Sequence, residues 1–235
     1  MRLIISEDIR KSFPDLRIAL LVARDIDNTG LDPELQEQKR SAASRMYENF
    51  TYDTLNARTE IEAWREAYRA FGVKPRDSRP TAEAFLRRLV KGDDFPTISK
   101  AVDSYLLVET QYFLPVGGYD LSEITGDIVL RFSSGGEPFV PIGAAAEEMT
   151  KPGEVIYADD ARVLTRKWNF RDCDTCKITD ASTTIGLFTE APFASVQTKA
   201  LTDSIQQMAD YIQKYCGGTV KTAFLDTSMM EIDIP

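Results

Sequence analysis

The spacing of apolar residues changes along the chain, from helical spacing between residues 32 and 113 to short β-rich runs after residue 127. Ahead of both regions, the apolar run "DLRIALLVARDI" (15–26) lies between Pro14 and the turn-forming "DNTG", which predicts a buried strand. The helical spacing predicts four helices, over 33–50, 59–72, 81–92 and 97–113.

Local signals predict where these helices begin and end. Asp32 is expected to be the N-cap of the first helix, with Pro33 at its first helical position. Thr81 is expected to cap the third helix, while Gly72 and Gly92 are expected to end the second and third. The second helix has an apolar stripe that we interpret as a core-facing surface. The stripe consists of Ile61, Trp64, Tyr68 and Phe71.

From residue 127 onward, short β-rich runs predict mostly strands, which are separated by the turn-like segments "SSGGEP", "TKPG" and "CDTC". The strand-like runs are "DIVLRF" (127–132), "EVIYAD" (154–159), "RVLTRKWNF" (162–170) and "TTIGLFTEA" (183–191). A final helix over 194–216 precedes a last strand over 219–225. Because most helices and strands are segregated along the chain, we predict an α+β fold and not a doubly wound parallel sheet.

The composition is that of a folded protein, since 43% of the 235 residues are hydrophobic. No apolar run approaches the ~20 residues needed to span a membrane. The start "MRLIISEDIRKSFPD" is too short and too charged for a secretory signal. Three cysteines, an odd number, disfavour a disulfide framework. We therefore expect a soluble cytoplasmic protein.

The net charge of −9 disfavours nucleic acid as a partner, but the charge is uneven. Residues 58–100 hold ten Lys or Arg and seven Asp or Glu, a net of +3, so the rest of the chain carries −12. This segment includes the basic turn "KPRDSRP" (74–80). It is either a solvated helical surface or a local basic face.

The chain contains no histidine, which excludes Ser-His-Asp, Cys-His and His-based zinc catalysis. It also lacks the Gly-x-x-x-x-Gly-Lys-Ser/Thr and Gly-x-Gly-x-x-Gly motifs, so we expect no nucleotide cofactor. Cys173 and Cys176 form one Cys-x-x-Cys pair, but a structural zinc site needs four ligands and a redox pair needs a strand-to-helix setting. We interpret the pair as part of a loop and expect no metal.

A dense polar and aromatic group surrounds the end of the run 162–170. It consists of Arg166, Trp168, Asn169, Arg171 and Asp172, with Glu190 at the end of a later strand. Strand alternation predicts that Arg166 and Trp168 share one face. The group either lines a pocket for a polar ligand or forms a satisfied interior network.

Six segments resemble, in the same order, the tRNA-editing B3/B4 domain of the bacterial phenylalanyl-tRNA synthetase beta chain. They are "AVDSYLLVE" (101–109), "LPVGGYDLSEITGDIVLRF" (114–132), "GGEPF" (135–139), "PGEVIYAD" (152–159), "VLTRKWNFRD" (163–172) and "KITDASTTIGLFTEA" (177–191). The chain is more similar still to small stand-alone proteins built from that domain, which carry a segment like "WREAYRAFGVKPRDSRPTAEAFLRRL" (64–89). We therefore expect a single domain over 1–235, with a core over 60–235 and an N-terminal strand and helix extension over 1–59.

The resemblance implies a central β-sandwich-like sheet with flanking helices. It also implies an activity, because the synthetase domain hydrolyses the ester of tyrosine wrongly attached to the phenylalanine tRNA. There a glutamate in a segment like "LFTEA" reads the tyrosine hydroxyl, and Glu190 occupies the matching position. Such an ester is already activated, so its hydrolysis needs mainly positioning and oxyanion stabilisation, which a chain without histidine can supply.

Two departures from the synthetase pattern change the expected pocket. Gly117 stands where the synthetase has a histidine, and "KWNFRDCDTC" (167–176) replaces a loop of small residues. The stand-alone proteins have a similar Arg-x-Trp-Asn-x-Arg pattern, and Trp168 is expected to narrow the pocket. The expected substrate-binding residues are Glu190, Asn169, Arg171, Trp168, Arg166 and Gly117.

The sequence thus favours an aminoacyl-tRNA deacylase that acts in trans on a mischarged tRNA. The alternative is a non-catalytic amino-acid or RNA-binding protein that kept the editing-domain fold. The expected partner is the aminoacylated acceptor end of a tRNA, contacted by Lys74, Arg76 and Arg79 of the basic turn. No catalytic residue is assigned from the sequence.

Overall fold

The computed structural model describes residues 1–234, which form helices and strands of mixed order. The helices are α1 (Glu7–Ser12), α2 (Pro33–Asn49), α3 (Tyr52–Asn56), α4 (Thr59–Ala70), α5 (Thr81–Lys91), α6 (Lys100–Tyr112) and α7 (Thr198–Cys216). The strands are β1 (Arg2–Ile5), β2 (Arg17–Arg24), β3 (Val116–Asp120), β4 (Ile128–Phe132), β5 (Pro138–Phe139), β6 (Glu148–Met149), β7 (Val155–Ala158), β8 (Val163–Arg166), β9 (Arg171–Asp172), β10 (Thr184–Ala191), β11 (Thr219–Asp226) and β12 (Glu231–Asp233). No helix among residues 1–234 is both long and apolar enough to cross a membrane.

The strands form two large sheets and one small hairpin. The six-stranded sheet has the order β12-β1-β4-β7-β8-β9, and the four-stranded sheet has the order β11-β2-β10-β3. Neighbours in the four-stranded sheet are antiparallel, whereas β1 and β4 pair in parallel. Strands β5 and β6 form the separate hairpin. The N-terminal strands therefore pair with strands from much later in the chain, and the predicted division at residue 59 stays a prediction.

Strand β2 shows why the chain folds into layers. Its alternate residues Ile18, Leu20 and Val22 join an apolar core with residues of the six-stranded sheet, such as Leu130. Its other residues, such as Leu21, join a second core with residues of α6 and α7. A strand buried on both faces needs a continuous apolar run, which is what the sequence has here. The predicted α+β fold, with facing sheets and flanking helices, is confirmed.

The predicted helices are all present, but α6 and α7 begin three and four residues later than predicted. Asp32 caps α2 as predicted, since its side chain accepts a hydrogen bond from the N–H of Leu35. Helix α5 has Pro80 as its N-cap, and Thr81 is already the first helical residue, so the predicted Thr81 cap is wrong. The N–H of Thr81 instead donates to the carbonyl oxygen of Asn169 at 3.1 Å. A long-range contact, which local sequence does not reveal, thus satisfies one of the free N–H groups of this helix.

The predicted strand over 162–170 is shorter in the structure, because β8 ends at Arg166. Lys167 and Trp168 follow with φ angles of 49° and 67°, in the left-handed region that residues with a side chain rarely adopt. The chain therefore turns, and the prediction that Arg166 and Trp168 share one strand face is wrong. The long-range contacts of Trp168, described below, hold this conformation.

Strand β3 contains two adjacent glycines, which weaken the interior of a strand unless something requires them there. Gly118 faces the neighbouring strand so closely that an added Cβ would lie 2.7 Å from the carbonyl oxygen of Gly186. Glycine is therefore required here by the approach of two strands and not by a turn. The strand places Gly117 and Tyr119 on the same side, two residues apart.

Candidate functional site

A cavity of about 250 Å³ opens where β3, β7, β8 and β10 meet the turn that follows β8. Five of the six residues predicted to bind substrate line it, namely Gly117, Trp168, Asn169, Arg171 and Glu190. The cavity is also lined by residues that were not predicted to bind substrate, including Thr81, Tyr119, Tyr157, Thr165 and Asp172. The cavity combines aromatic walls with a few polar groups that converge on it, as small-ligand sites do.

Arg166 does not line this cavity. Its guanidinium is buried and donates to both carboxylate oxygens of Glu154, at 2.9 and 2.7 Å, and to Glu148 at 2.7 Å. Alternation along β8 gives the reason, because Thr165 is the residue that lines the cavity and Arg166 is next to it. Arg166 thus holds the β5–β6 hairpin and the segment before β7 to the sheet.

Trp168 forms a rigid wall of the cavity. Its side chain is only 1% exposed, and its ring packs edge-on against Phe13 and Trp64, with centroid distances of 4.7 and 5.1 Å. The backbone N–H of Trp168 donates to the carbonyl oxygen of Val155 at 2.6 Å. The indole Nε1 donates to Glu190 at 3.0 Å. These contacts explain why the backbone tolerates a left-handed tryptophan.

Glu190, on β10, lines the cavity and is buried. Strand alternation places it on the same side as Phe188, which also lines the cavity. Its Oε1 accepts hydrogen bonds from the hydroxyl of Tyr157 and from the indole of Trp168. Burial raises the pKa of Glu190 to about 7, against the lowering effect of these two bonds. The carboxyl group therefore changes charge near neutral pH.

Asp172 supplies a second carboxyl group to the cavity. Its Oδ1 accepts a hydrogen bond of 2.5 Å from the hydroxyl of Thr165, which in turn lies 2.5 Å from the hydroxyl of Tyr119. Burial raises the pKa of Asp172 to about 6, against the lowering effect of the bond from Thr165. A Cβ added to Gly117 would lie 3.9 Å from this carboxylate, so glycine leaves the carboxylate accessible from β3.

Asn169 presents a hydrogen-bond donor without a partner. Its side-chain oxygen accepts a bond of 2.8 Å from the hydroxyl of Tyr68 on α4, which fixes the orientation of the amide. The amide Nδ2 is buried and has no hydrogen-bond partner among residues 1–234. A buried donor without a partner is costly to the folded state, so it indicates a place where a ligand or water accepts a hydrogen bond.

The cysteine pair lies behind Asp172. Cys173 and Cys176 are free and buried thiols whose sulfur atoms are 2.6 Å apart. Within the described part of the chain, no group of three or more His, Cys, Asp or Glu side chains is arranged to hold a metal ion. The pair packs in the apolar core between the sheets, where it supports the wall that carries Asp172.

The B3/4 domain model matches residues 63–217, which is more than half of the chain. The chain belongs to the B3/4 domain family. This confirms the family expected from the sequence. No curated protein matches the chain.

Among solved structures, the chain is similar to an N-terminal fragment of the phenylalanyl-tRNA synthetase beta-subunit from Pyrococcus horikoshii. The TM-score is 0.46 and the sequence identity is 12%. The match covers 93% of this chain and 49% of the other, so the chain spans about half the length of that fragment.

The residues predicted to contact RNA lie in the turn between α4 and α5 of this B3/4 domain. Lys74 and Arg76 are exposed, and Arg79 is half-buried. None of the three lines the cavity, but Thr81, which directly follows the turn in α5, does. The hydroxyl of Ser78 in the same turn accepts a bond of 2.8 Å from the ammonium of Lys167. The turn is thus attached to the cavity wall at two points.

The signals for the residues that sequence reasoning missed are partly present in the sequence. Tyr119 would have been found from Gly117 by strand alternation if β3 had been predicted as a strand. Tyr157 lies in the predicted strand "EVIYAD", but its contact with Glu190 joins residues far apart in the chain. Asp172 was recognised as part of the polar group but was not included among the substrate-binding residues.

Proposed function

We propose that this chain is an aminoacyl-tRNA deacylase that acts in trans, hydrolysing the ester between a wrongly attached amino acid and its tRNA. The observation that carries the proposal is a cavity in a B3/4 domain lined by two carboxyl groups, Asp172 and Glu190, whose pKa values are raised by burial. The cavity volume of about 250 Å³ is below the ~300–1,000 Å³ of pockets for drug-sized ligands. It therefore suits a group as small as one amino acid.

The two carboxyl groups suit the two ends of an aminoacyl group. Asp172 is half-buried and has a pKa of about 6, so it is mostly ionised at pH 7 and is our proposed partner for the α-ammonium group. Glu190 is 4% exposed, lies deeper, and is our proposed reader of the side chain. This assignment agrees with the role that the family resemblance implies for Glu190.

The hydrolysis itself adds the oxygen of water to the ester carbonyl carbon and releases the ribose hydroxyl. The water supplies the hydroxyl of the new carboxyl group, and a proton ends on the ribose oxygen. Asn169 is the proposed donor to the carbonyl oxygen as negative charge develops there, since its Nδ2 has no partner within residues 1–234. One such donor contributes about 10²–10³ in rate.

A second candidate function is binding of an aminoacyl end without hydrolysis. The hydrogen bonds of the carboxyl groups favour it, because Asp172 and Glu190 already accept bonds from Thr165 and Tyr157. A carboxylate engaged in this way is a poorer base for an attacking water molecule. In that case the chain would sequester or carry its ligand.

A deacylation screen tests the proposal. The purified protein is incubated, in excess, with a panel of correctly and wrongly charged tRNAs, and the release of each amino acid is followed. We expect release of one amino acid, or a few related ones, faster than spontaneous hydrolysis. Asp172→Asn should weaken this activity, whereas the exposed control Asp180→Asn should not. Binding of charged tRNAs with every ester left intact would support the second candidate instead.

A further inference from the structure

A second depression, which we call the arginine groove, lies on the other side of the turn between α4 and α5. Its volume is about 290 Å³. Its charged lining residues are Glu62, Arg65, Arg69, Arg76, Arg79, Glu83 and Arg87. Five arginines and two glutamates give the groove a local charge of +3, in a chain whose net charge is −9.

One buried carboxylate organises the groove. Glu83 is 2% exposed and accepts hydrogen bonds from Arg65 through both oxygens, at 2.9 and 2.7 Å. The guanidinium groups of Arg79 and Arg87 lie 3.6 and 3.9 Å from the same carboxylate. Glu62 also lies 3.7 Å from Arg65, but the arginines around Glu83 still outnumber the carboxylates. The groove is thus preorganised to hold a further anion.

The other two arginines of the groove, Arg69 and Arg76, have exposed side chains that can reach a ligand. The side chain of Arg76 is 90% exposed, and its ion partner is Asp77, at 3.9 Å. Arg69 pairs with Glu62 at 2.5 Å, but both side chains are about half exposed. Exposed ion pairs of this kind contribute about 0–1 kcal/mol, so a phosphate group can displace them at little cost.

The arginine groove and the cavity adjoin where the turn at residues 74–80 runs into α5. Arg79 lines the groove and Thr81 lines the cavity, and they are two residues apart. Their Cα atoms therefore lie no more than about 7 Å apart. The Thr81–Asn169 and Lys167–Ser78 hydrogen bonds fix the turn to the cavity wall. A ligand with an uncharged or cationic end and phosphates directly next to it can fill both sites.

We propose that the arginine groove binds the phosphate backbone of the RNA strand whose aminoacylated end enters the cavity. The proposal rests on the proposed function, and it extends the predicted RNA contacts of Arg76 and Arg79 to Arg65, Arg69 and Arg87. Guanidinium groups match phosphate oxygens in pairs. The acidic remainder of the chain repels RNA, which confines the contact to a short stretch next to the ester.

The test uses an RNA hairpin with a fluorescent label and a single-stranded 3′ end, and follows binding by anisotropy between about 50 and 200 mM salt. The groove variant is Arg69→Gln with Arg76→Gln and Arg79→Gln, which spares the buried Arg65–Glu83 pair. The matched control is Arg10→Gln with Arg40→Gln and Arg45→Gln, three exposed arginines outside the groove. Both variants change the net charge equally, and thermal unfolding checks that both remain folded.

We expect the groove variant to bind RNA more weakly and with a shallower salt dependence. The slope of log K against log salt should fall by about 0.7 for each lost phosphate contact, or about 2 for three contacts. The control should keep the wild-type slope. Equal slopes for both variants, or wild-type protein that does not bind the hairpin at about 50 mM salt, would overturn the proposal.

A second measurement separates this proposal from the proposed function. Aminoacyl-adenosine esters carry the same ester but no phosphate backbone, so their hydrolysis depends on the cavity alone. We expect the groove variant to hydrolyse them at the wild-type rate. Hydrolysis of these esters together with unchanged RNA binding by the groove variant would reject the groove and keep the deacylase. Groove-dependent RNA binding without hydrolysis of any ester would keep the groove and reject the deacylase.

Discussion

Glu190 connects the walls of the cavity, because one of its oxygens accepts bonds from both Tyr157 and Trp168. Two aromatic side chains from different parts of the chain are thereby held at fixed angles around a carboxyl group. The carboxyl group is thus both a structural tie and a buried polar group of the cavity. Substitutions here affect the shape of the cavity as well as its charge.

Glu190→Ala should relax the choice of amino acid more than it lowers the best rate. A site that hydrogen-bonds a polar substrate group rejects analogues without that group by factors of about 10⁴ or more, and removing the carboxyl group removes this discrimination. The measurement is the ratio of kcat/KM values for several charged tRNAs, with the exposed Glu123→Ala as control. Unchanged ratios would contradict the role assigned to Glu190.

Asn169→Ala should lower the deacylation rate by about 10²–10³, as expected for loss of one donor to a developing oxyanion. Tyr68→Phe removes the hydroxyl that orients this amide, at 2.8 Å, but leaves Nδ2 in place. We therefore expect a smaller loss, seen in kcat and not in KM. Single-turnover rates measure the effect of each substitution on the chemical step, and binding of an uncleavable amide analogue measures its effect on affinity. Equal losses in both variants would show that the amide acts only through packing.

At the scale of elements, the strand β3 sets the shape of the cavity through two adjacent glycines with different surroundings. An added Cβ at Gly118 would lie 2.5 Å from the side chain of Leu187 and 2.7 Å from the backbone of Gly186. At Gly117 the nearest atom is a carboxylate oxygen of Asp172, at 3.9 Å. One glycine thus permits strand pairing, and the other leaves space beside a carboxylate.

Gly118→Ala should therefore destabilise the protein by about 1–3 kcal/mol, the usual cost of overpacking. Gly117→Ala has room for its methyl group and should change the free energy of unfolding by less than about 0.5 kcal/mol. It should nevertheless weaken ligand binding, because the methyl group enters the cavity. Urea unfolding of both variants measures the first effect, and ligand titration measures the second. Equal destabilisation by the two substitutions would contradict this account of β3.

The start of α2 was predicted from local signals, whereas the turn after β8, which distant contacts hold, was not. The cap and proline at the start of α2 lie next to each other in sequence, so its boundary was correct. The turn after β8 depends on the packing of Trp168 against Phe13 and Trp64, which lie more than 100 residues earlier. Its left-handed residues carry no glycine signal. The sequence therefore predicted five of the residues that line the cavity, but it missed others such as Tyr119 and Tyr157 and misplaced Arg166.

For the whole molecule, the absence of histidine changes what titrates near neutral pH. Three buried or half-buried carboxyl groups do so instead, with pKa values raised to about 6 in Asp172, 7 in Glu190 and 8 in Glu109. Burial is the largest cause in each case. Glu109 is fully buried on α6, where one oxygen accepts the N–H of Val116 and the other has no partner among residues 1–234.

These pKa values predict that the protein loses stability as the pH rises. The carboxyl group of Glu109 has a pKa of 4.5 when solvated and about 8 in the fold, so the folded state holds more protons than the unfolded state between these values. The free energy of unfolding should then fall with pH in this window, by up to about 1.4 kcal/mol per pH unit for one such group. Glu109→Gln keeps the acceptor for Val116 and should flatten the decline.

Urea unfolding at several pH values from 5 to 8 measures this effect. The exposed Glu48→Gln serves as control and should keep the wild-type decline. A wild-type protein whose stability rises over this range would show that Glu109 is ionised in the fold. The same outcome would exclude burial as the dominant influence on its charge.

The turn at residues 74–80 lines the arginine groove and leads directly into Thr81 of the cavity, and this has a thermodynamic consequence. If RNA in the arginine groove restrains the turn, the hydrogen bond from the Thr81 N–H to the backbone carbonyl of Asn169 transmits that restraint to a residue that lines the cavity. Cooperativity between two ligands is reciprocal. An amino acid in the cavity must then strengthen RNA binding by the same factor by which RNA strengthens binding of the amino acid. A charged tRNA would be held more tightly than its two parts suggest, and cutting the ester would end that cooperation and release both products.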